Sequence, residues 1–372
     1  MGNVNNTQEK ISRLANLRKA IAASGADGFI VFHNEFDNRP TIQYLSGFTG
    51  STAVVVIGPS DARLIVDSRY LDVAKGQSFI PVTQISGAGR DQFPAAKQVI
   101  LEFGIKKLGF EEDKLSLKKH EVLKSFGLPL EGFTQLPFRL RAVKGAQEVA
   151  ALRLSARIAA RSLESIVSSI HIGTTEKQVA ALLFKAMLDR GATQLVRGNF
   201  IVASGERSAM PHGFFSDRRI ENGDMVTIDF GALYEGYISD ITRTFALGFP
   251  SQQLVDVYEI VREANERAIE MVSPDVTGQQ VDAMVTQFIT KKGYGENIMH
   301  SLGHGIGLDV HELPNLNKDN DEKLPVGAVV TVEPGIYIPG LGGVRIEDDV
   351  LVTENGREVL TTDSPKELRY LV

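Results

Sequence analysis

The chain has 372 residues, enough for two ordinary domains or one large one. It is 43% hydrophobic and 23% charged, which excludes wholesale disorder, and its net charge of −6, with no long Lys/Arg run, argues against a general nucleic-acid binder. It has no cysteine, so disulfides, thiolate nucleophiles, iron–sulfur ligation and Cys-type zinc sites are excluded, and a reducing cytosol is the consistent setting.

The opening MGNVNNTQEK lacks the apolar core of a secretory signal, and the longest apolar runs, such as 53–57, are far too short to span a bilayer. A soluble, cytoplasmic protein is expected. Residues 1–135 alternate β-type runs at 28–33, 53–58, 63–66 and 107–111 with helical patterns at 95–103 and 117–126. That alternation predicts an α/β layer domain. Residues 136–146, with Pro137 and Gly145 and no periodicity, read as a linker. A second domain, 147–372, opens on a long amphipathic helix with Leu152, Ala156, Ala159, Leu163, Ile166 and Ile170 on one stripe.

This second domain repeats itself. TEKQVAALL from Thr175 aligns with TGQQVDAMV from Thr277 at an offset of 102, and Gly191 falls on Gly293. Thr175 with Gln178, and Thr277 with Gln280, fit the capping box that starts a helix. Further on, GDMVTIDFG from Gly223 matches GAVVTVEPG from Gly327 at an offset of 104. Each half reads as a helix followed by a strand that ends in an acid and a glycine. A duplication of this kind places two equivalent carboxylates, Asp229 and Glu333.

Asp229 interrupts an apolar strand, and a second β-type run, 237–245, carries Asp240. A hairpin centred between Tyr234 and Glu235 would set Asp229 directly opposite Asp240, with Cβ atoms about 4.5–5.5 Å apart. Two carboxylates so close need a counter-charge: a metal ion, or alternatively Arg243 or Arg218. The run HSLGHGIGLDVHELP places His300, His304 and His311, three of the seven histidines, among glycines. It is not H-E-x-x-H, so a zincin helix is excluded. Glu347, in GVRIEDDV, is a further acid in a β-type run. Together these residues are an oxygen-rich donor set suited to two divalent ions such as Mn or Co, with Zn or Fe as further candidates. Two such ions about 3.5–4 Å apart serve metal-assisted hydrolysis. No nucleophile elbow, P-loop or complete G-x-G-x-x-G is present. His33, His120 and His171 fall outside every motif and read as ordinary surface or boundary residues.

The run from His300 to Glu312, with Asp229, Asp240, Glu333 and Glu347, resembles the pita-bread metallopeptidases: aminopeptidase P, prolidase and methionine aminopeptidase. The resemblance implies an α/β (α+β) protein. Its amino-terminal domain would be creatinase-like and serve capping or dimerisation, and its duplicated carboxy-terminal domain would form a curved sheet backed by helices. It implies Asp229, Asp240, His304, Glu333 and Glu347 as ligands of two metals, with Asp240 and Glu347 bridging and Glu333 accepting the proton during attack. It further implies His212 and His311 as groups that contact substrate and stabilise the tetrahedral intermediate. His300, Arg345 and Tyr337 would serve the substrate pocket, the last two from positions behind it.

The segments YLSGFTGS, from Tyr44, and VDSRY, from Val66, look like the amino-terminal domain of short bacterial aminopeptidase P and prolidase proteins, a domain that methionine aminopeptidases usually lack. The expected activity is an Xaa-Pro aminopeptidase acting as a homodimer on small peptides with proline second. An Xaa-Pro dipeptidase is the alternative, and a non-catalytic binding protein on the same fold is the alternative of a different class. Neither nucleic acid nor membrane is an expected partner.

Overall fold

The computed structural model describes residues 2–35, 37–85 and 91–372, and the side chains within them except those of 2–8 and 195–199. The chain divides into two compact units, Met1–Arg141 and Ala142–Val372.

In the first unit a helix, Gly2–Ala22, buries Leu14, Leu17 and Ile21, an i, i+3, i+7 stripe. The sheet has strands β1 (Gly28–Asn34), β2 (Thr52–Ile57), β3 (Ala62–Val66), β4 (Val82–Gln84), β5 (Leu108–Glu111) and β6 (Leu130–Phe133), in the order β4-β3-β2-β1-β5-β6. β1 pairs antiparallel with β2 and parallel with β5. Ile30, Val54, Val56 and Ile65 meet Val99 and Ile100 of the helix Phe93–Glu102 and Leu123 of the helix Leu117–Lys124. The expected strands and helices of this region are present within a few residues of their bounds.

Two expectations change here. The segment expected as a linker is largely a helix, Leu136–Ala142, held by the buried Arg141, whose Nη1 donates to Thr41 Oγ1 at 3.1 Å. Only 143–145 remain irregular before the next helix. His33, expected as an ordinary surface or boundary residue, is wholly buried on β1 with Nδ1 against the Asp37 carbonyl.

The second unit shows the repeat. After the helix Ala146–Ile166 and a 3-10 turn, Val167–Ser169, Ile170 is buried from outside the helix that was expected to carry it. Helices Glu176–Asp189 and Gly278–Lys291 both begin with reciprocal capping boxes, Thr175 with Gln178 and Thr277 with Gln280. The first half forms a sheet from β7 (Gln194–Ser204), β8 (Met225–Tyr234), β9 (Tyr237–Ile238), β10 (Ile241–Leu247) and the carboxy-terminal strand Tyr370–Leu371. The second half forms a sheet from β11 (Gly303–Gly305), β12 (Glu312–Leu316), β13 (Val329–Val332), β16 (Asp348–Thr353) and β17 (Gly356–Val359). A separate hairpin joins β14 (Gly335–Ile338) and β15 (Gly342–Arg345).

Each sheet is covered on one face by helices of its own half. Leu163, Val179 and Leu183 pack on Val202, Val226, Ile228 and Phe230. Val257, Val261, Val281 and Val285 pack on Val330, Val332 and Val350. Because strand side chains alternate, packing Ile228 and Phe230 into the core turns Thr227 and Asp229 to the opposite face.

Candidate active site

That opposite face gathers the acids and histidines. Asp229 stands on β8, Asp240 in the break between β9 and β10, and His304 in the middle of β11. Glu333 follows β13, where Pro334 ends the strand, and Glu347 sits between β15 and β16. These five residues line one cleft of about 700 Å³ together with His212, His300, His311 and Arg345. Asp240, His304 and Glu347 present ligand atoms within 4.8 Å of one another. Tyr337, expected to serve the substrate pocket from behind it, is wholly buried and does not line the cleft, whereas Arg345, expected behind it as well, does line it.

The hairpin register differs from the one expected. Tyr234 pairs with Tyr237 and Leu233 with Ile238, so the turn is centred on Glu235 and Gly236, both with positive φ. Those signs mark a two-residue type I′ turn, whose twist matches the strands. Asp229 therefore faces Thr242, and Asp240 lies two residues along on the same face, a diagonal neighbour. The ladder is interrupted there: a Cβ on Gly231 would stand 1.9 Å from the Ser239 carbonyl oxygen.

Arg345, rather than Arg243 or Arg218, answers Asp229. Its Nη2 donates to Asp229 Oδ2 at 2.5 Å, its Nη1 to the Tyr337 hydroxyl at 2.6 Å, and its Nε to Thr242 Oγ1 at 3.1 Å. Thr242 in turn donates to Glu347 Oε2 at 2.6 Å. Arg243 and Arg218 pair with Asp348 and Asp224 instead. Tyr337 bridges to His300 Nε2 at 2.7 Å, and Arg345 Nη1 also reaches the Pro211 carbonyl beside His212 at 3.3 Å. On the other wall His304 Nε2 approaches Glu333 Oε1 to 3.3 Å, and Thr331 donates to the same oxygen at 3.2 Å. The His304 and His311 rings meet edge to face at 4.3 Å.

The electrostatics of this cluster ask for cations. Burial, with Asp229, Asp349 and Glu333 facing it, pushes Asp240 well above the usual carboxylate range, and burial with Asp240 beside it does the same to Glu347. Burial alone would also raise Glu333, but the His304 hydrogen bond and charge hold it down to about 2. Asp240 Oδ1 and Glu347 Oε1 are buried without a hydrogen-bond partner among the described residues. Orphaned carboxylate oxygens turned into a shared cleft fit divalent metal ions, and His304 turns Nδ1 to the Gly305 carbonyl at 3.0 Å, which leaves Nε2 toward the acids. Burial and the neighbouring His304 lower His311, so its imidazole is neutral at neutral pH.

Several contributors were not anticipated. Thr242, two residues beyond Asp240, and Thr331, two before Glu333, were accessible to the period-two rule but carry no motif of their own. Asp349 accepts the Asp240 backbone N–H at 3.0 Å; nothing in IEDDV distinguishes it from Asp348, which is engaged elsewhere. Phe214 and Met299 add apolar surface to the cleft, and Asn315 and Asn317 add amides.

Comparison with known proteins agrees with this geometry. Residues 150–354 match the model of metallopeptidase family M24, and residues 13–143 that of the creatinase/prolidase N-terminal domain. The chain is 39% identical over 327 residues to an Xaa-Pro dipeptidase of Pyrococcus horikoshii, covering 87% of this chain and 90% of that one. Among solved structures, an Xaa-Pro dipeptidase from Bacillus anthracis superposes with a TM-score of 0.91 at 42% identity, covering 97% and 100% of the two chains. An X-Pro aminopeptidase from Thermotoga maritima MSB8 superposes at 0.89 with 40% identity, covering 96% and 99%. The chain belongs to metallopeptidase family M24: it is an enzyme with the pita-bread fold, of a family that uses divalent metal ions.

Proposed function

We propose that this member of metallopeptidase family M24 is a dinuclear Xaa-Pro dipeptidase, a prolidase, cleaving the bond between an amino-terminal residue and proline. The observation that carries the reading is the convergence of Asp229, Asp240, His304, Glu333 and Glu347 on one cleft. The sequence alone put the aminopeptidase first; the names borne by its relatives favour the dipeptidase. A binding protein without catalysis would be expected to lack part of the donor set, and no donor position is lost here.

Those five residues would hold two ions, Mn or Co in the first instance, which when bound polarise the scissile carbonyl and activate water. Glu333, kept ionised by His304, accepts the proton of the attacking water. His311, neutral, and His212 offer N–H groups to the oxygen of the tetrahedral intermediate. Arg345 holds Asp229 in place, and His300, braced by Tyr337, lines the substrate end of the cleft. The protein acts as a homodimer, which sedimentation velocity checks.

The test is chromatographic detection of products from Ala-Pro, Ala-Pro-Ala and Met-Ala-Ser, with Mn²⁺ or Co²⁺ restored after chelation. Cleavage of Ala-Pro alone is the expected result. Cleavage of Ala-Pro-Ala at its first bond would make the enzyme an aminopeptidase P. Cleavage of Met-Ala-Ser only, or of nothing in metal-loaded protein, would overturn the Xaa-Pro reading.

A further inference from the structure

Glu312 follows His311 directly, yet it does not face the cleft. Its side chain and that of Lys144 are each 1% exposed, and Lys144 Nζ meets Glu312 Oε2 at 3.1 Å. Lys144 comes from the start of the second unit, far away in sequence, and is anchored by its own N–H to the Gly327 carbonyl at 2.9 Å. The other Glu312 oxygen accepts the backbone N–H groups of Leu308 and Asp309 at 3.2 and 3.1 Å. The turn between His304 and His311 is therefore fastened to this carboxylate.

Gly307 explains how closely the parts approach. A Cβ there would stand 2.6 Å from Glu312 Oε2 and 3.0 Å from Lys144 Cε. The Gly307 carbonyl also accepts the N–H of Ile238 at 2.8 Å, two residues before Asp240. One buried ion pair thus joins the start of the unit, the histidine turn and the hairpin that presents Asp240.

We propose that the Lys144–Glu312 pair is a positioning device for His311, setting the imidazole against His304 and the substrate. This rests on the reading of His311 as a group that touches substrate. The pair itself touches none; it acts through the turn 307–309. Removing one charge leaves the other buried and uncompensated, which frees the turn.

The test measures Ala-Pro hydrolysis by K144M, K144R and E312Q in the full chain, alone and combined with H311A. We expect K144M and E312Q to lower kcat about 10–100-fold, with KM changed less than about 3-fold and bound metal unchanged. In the H311A background the same substitutions should cost less than about 3-fold, because residues that act as one unit are not additive. K144R should recover most of kcat. In ¹H–¹³C spectra of His-labelled protein, the His311 ring signal should move in K144M while that of His33 stays.

Full multiplicative losses in H311A, or an unmoved His311 signal, would overturn the proposal. Where a single variant does not fold, K144M/E312Q removes both charges together and carries the same two measurements. A wild-type protein that cleaves no Xaa-Pro peptide would sink the proposed function, and the ring signal would still decide the ion pair.

Discussion

Arg345 donates to Asp229 at 2.5 Å across the boundary between the two halves of the repeat. The pattern recurs: Thr242 of the first half donates to Glu347 of the second, and the Asp240 backbone donates to Asp349. Each half thus supplies acids that the other half orients. The cleft is a joint property of both sheets.

Asp240 is buried in this arrangement with Oδ1 unpaired among the described residues, and replacing it removes that oxygen from the cleft. Asp240→Ala is expected to lower activity at least about 1,000-fold and to cut bound metal below two ions per chain. Elemental analysis of the purified variant, beside an Ala-Pro assay, checks it. A variant with full metal content and full activity would remove Asp240 from the site.

Tyr337 provides a contrast, because its hydroxyl lies between His300 and Arg345 without reaching the cleft. Tyr337→Phe leaves the packing intact and is expected to lower kcat about 3–10-fold with KM unchanged within about 2-fold. Steady-state kinetics on Ala-Pro decide it. A large rise in KM with kcat intact would instead place Tyr337 in direct contact with substrate.

Gly231 allows the strand break that presents Asp240. With the Ser239 carbonyl where a Cβ would stand, Gly231→Ala should destabilise the second unit by about 2–4 kcal/mol and weaken metal binding as well. Urea unfolding of the chelated protein gives the first quantity, and metal titration the second. Wild-type values in both would show that the hairpin relaxes freely.

Glu111 in the first unit tests electrostatics away from the cleft. Burial pushes it up to about 7, against the Asn38 hydrogen bond and the Arg141 guanidinium. A carboxyl raised on folding stabilises fully below its ordinary range, and that stability is lost as pH climbs through about 7. The span corresponds to about 3 kcal/mol. Glu111→Gln should therefore match wild type near pH 4.5 and exceed it near pH 8, as read from unfolding midpoints across that range. Parallel curves would refute the shift.

Much of this was legible in the chain itself. The capping boxes at Thr175 and Thr277 are local, so their sequence signature suffices, and the repeat located Asp229 and Glu333 as equivalents. What escaped were relationships set by one or two residues of geometry. The turn at Glu235–Gly236 needs two positive φ angles, and moving its centre from between Tyr234 and Glu235 changed the partner of Asp229 from Asp240 to Thr242. Arg345, Arg243 and Arg218 are chemically alike; only the tertiary fold assigns each its acid. The helix Leu136–Ala142 was hidden by Pro137, which is tolerated in a first turn. His33 reads as polar, yet its strand is covered and its ring is buried.

The division of donors between the halves also sets an order of events during synthesis. Asp229 and Asp240 leave the ribosome roughly a hundred residues before Glu347, which at about 5–20 residues per second is many seconds. Throughout that interval the first sheet carries two neighbouring acids with neither Arg345 nor Asp349 yet made to hold them. The nascent half must keep those carboxylates in water, and the sheet can close over them only after the last third of the chain has emerged.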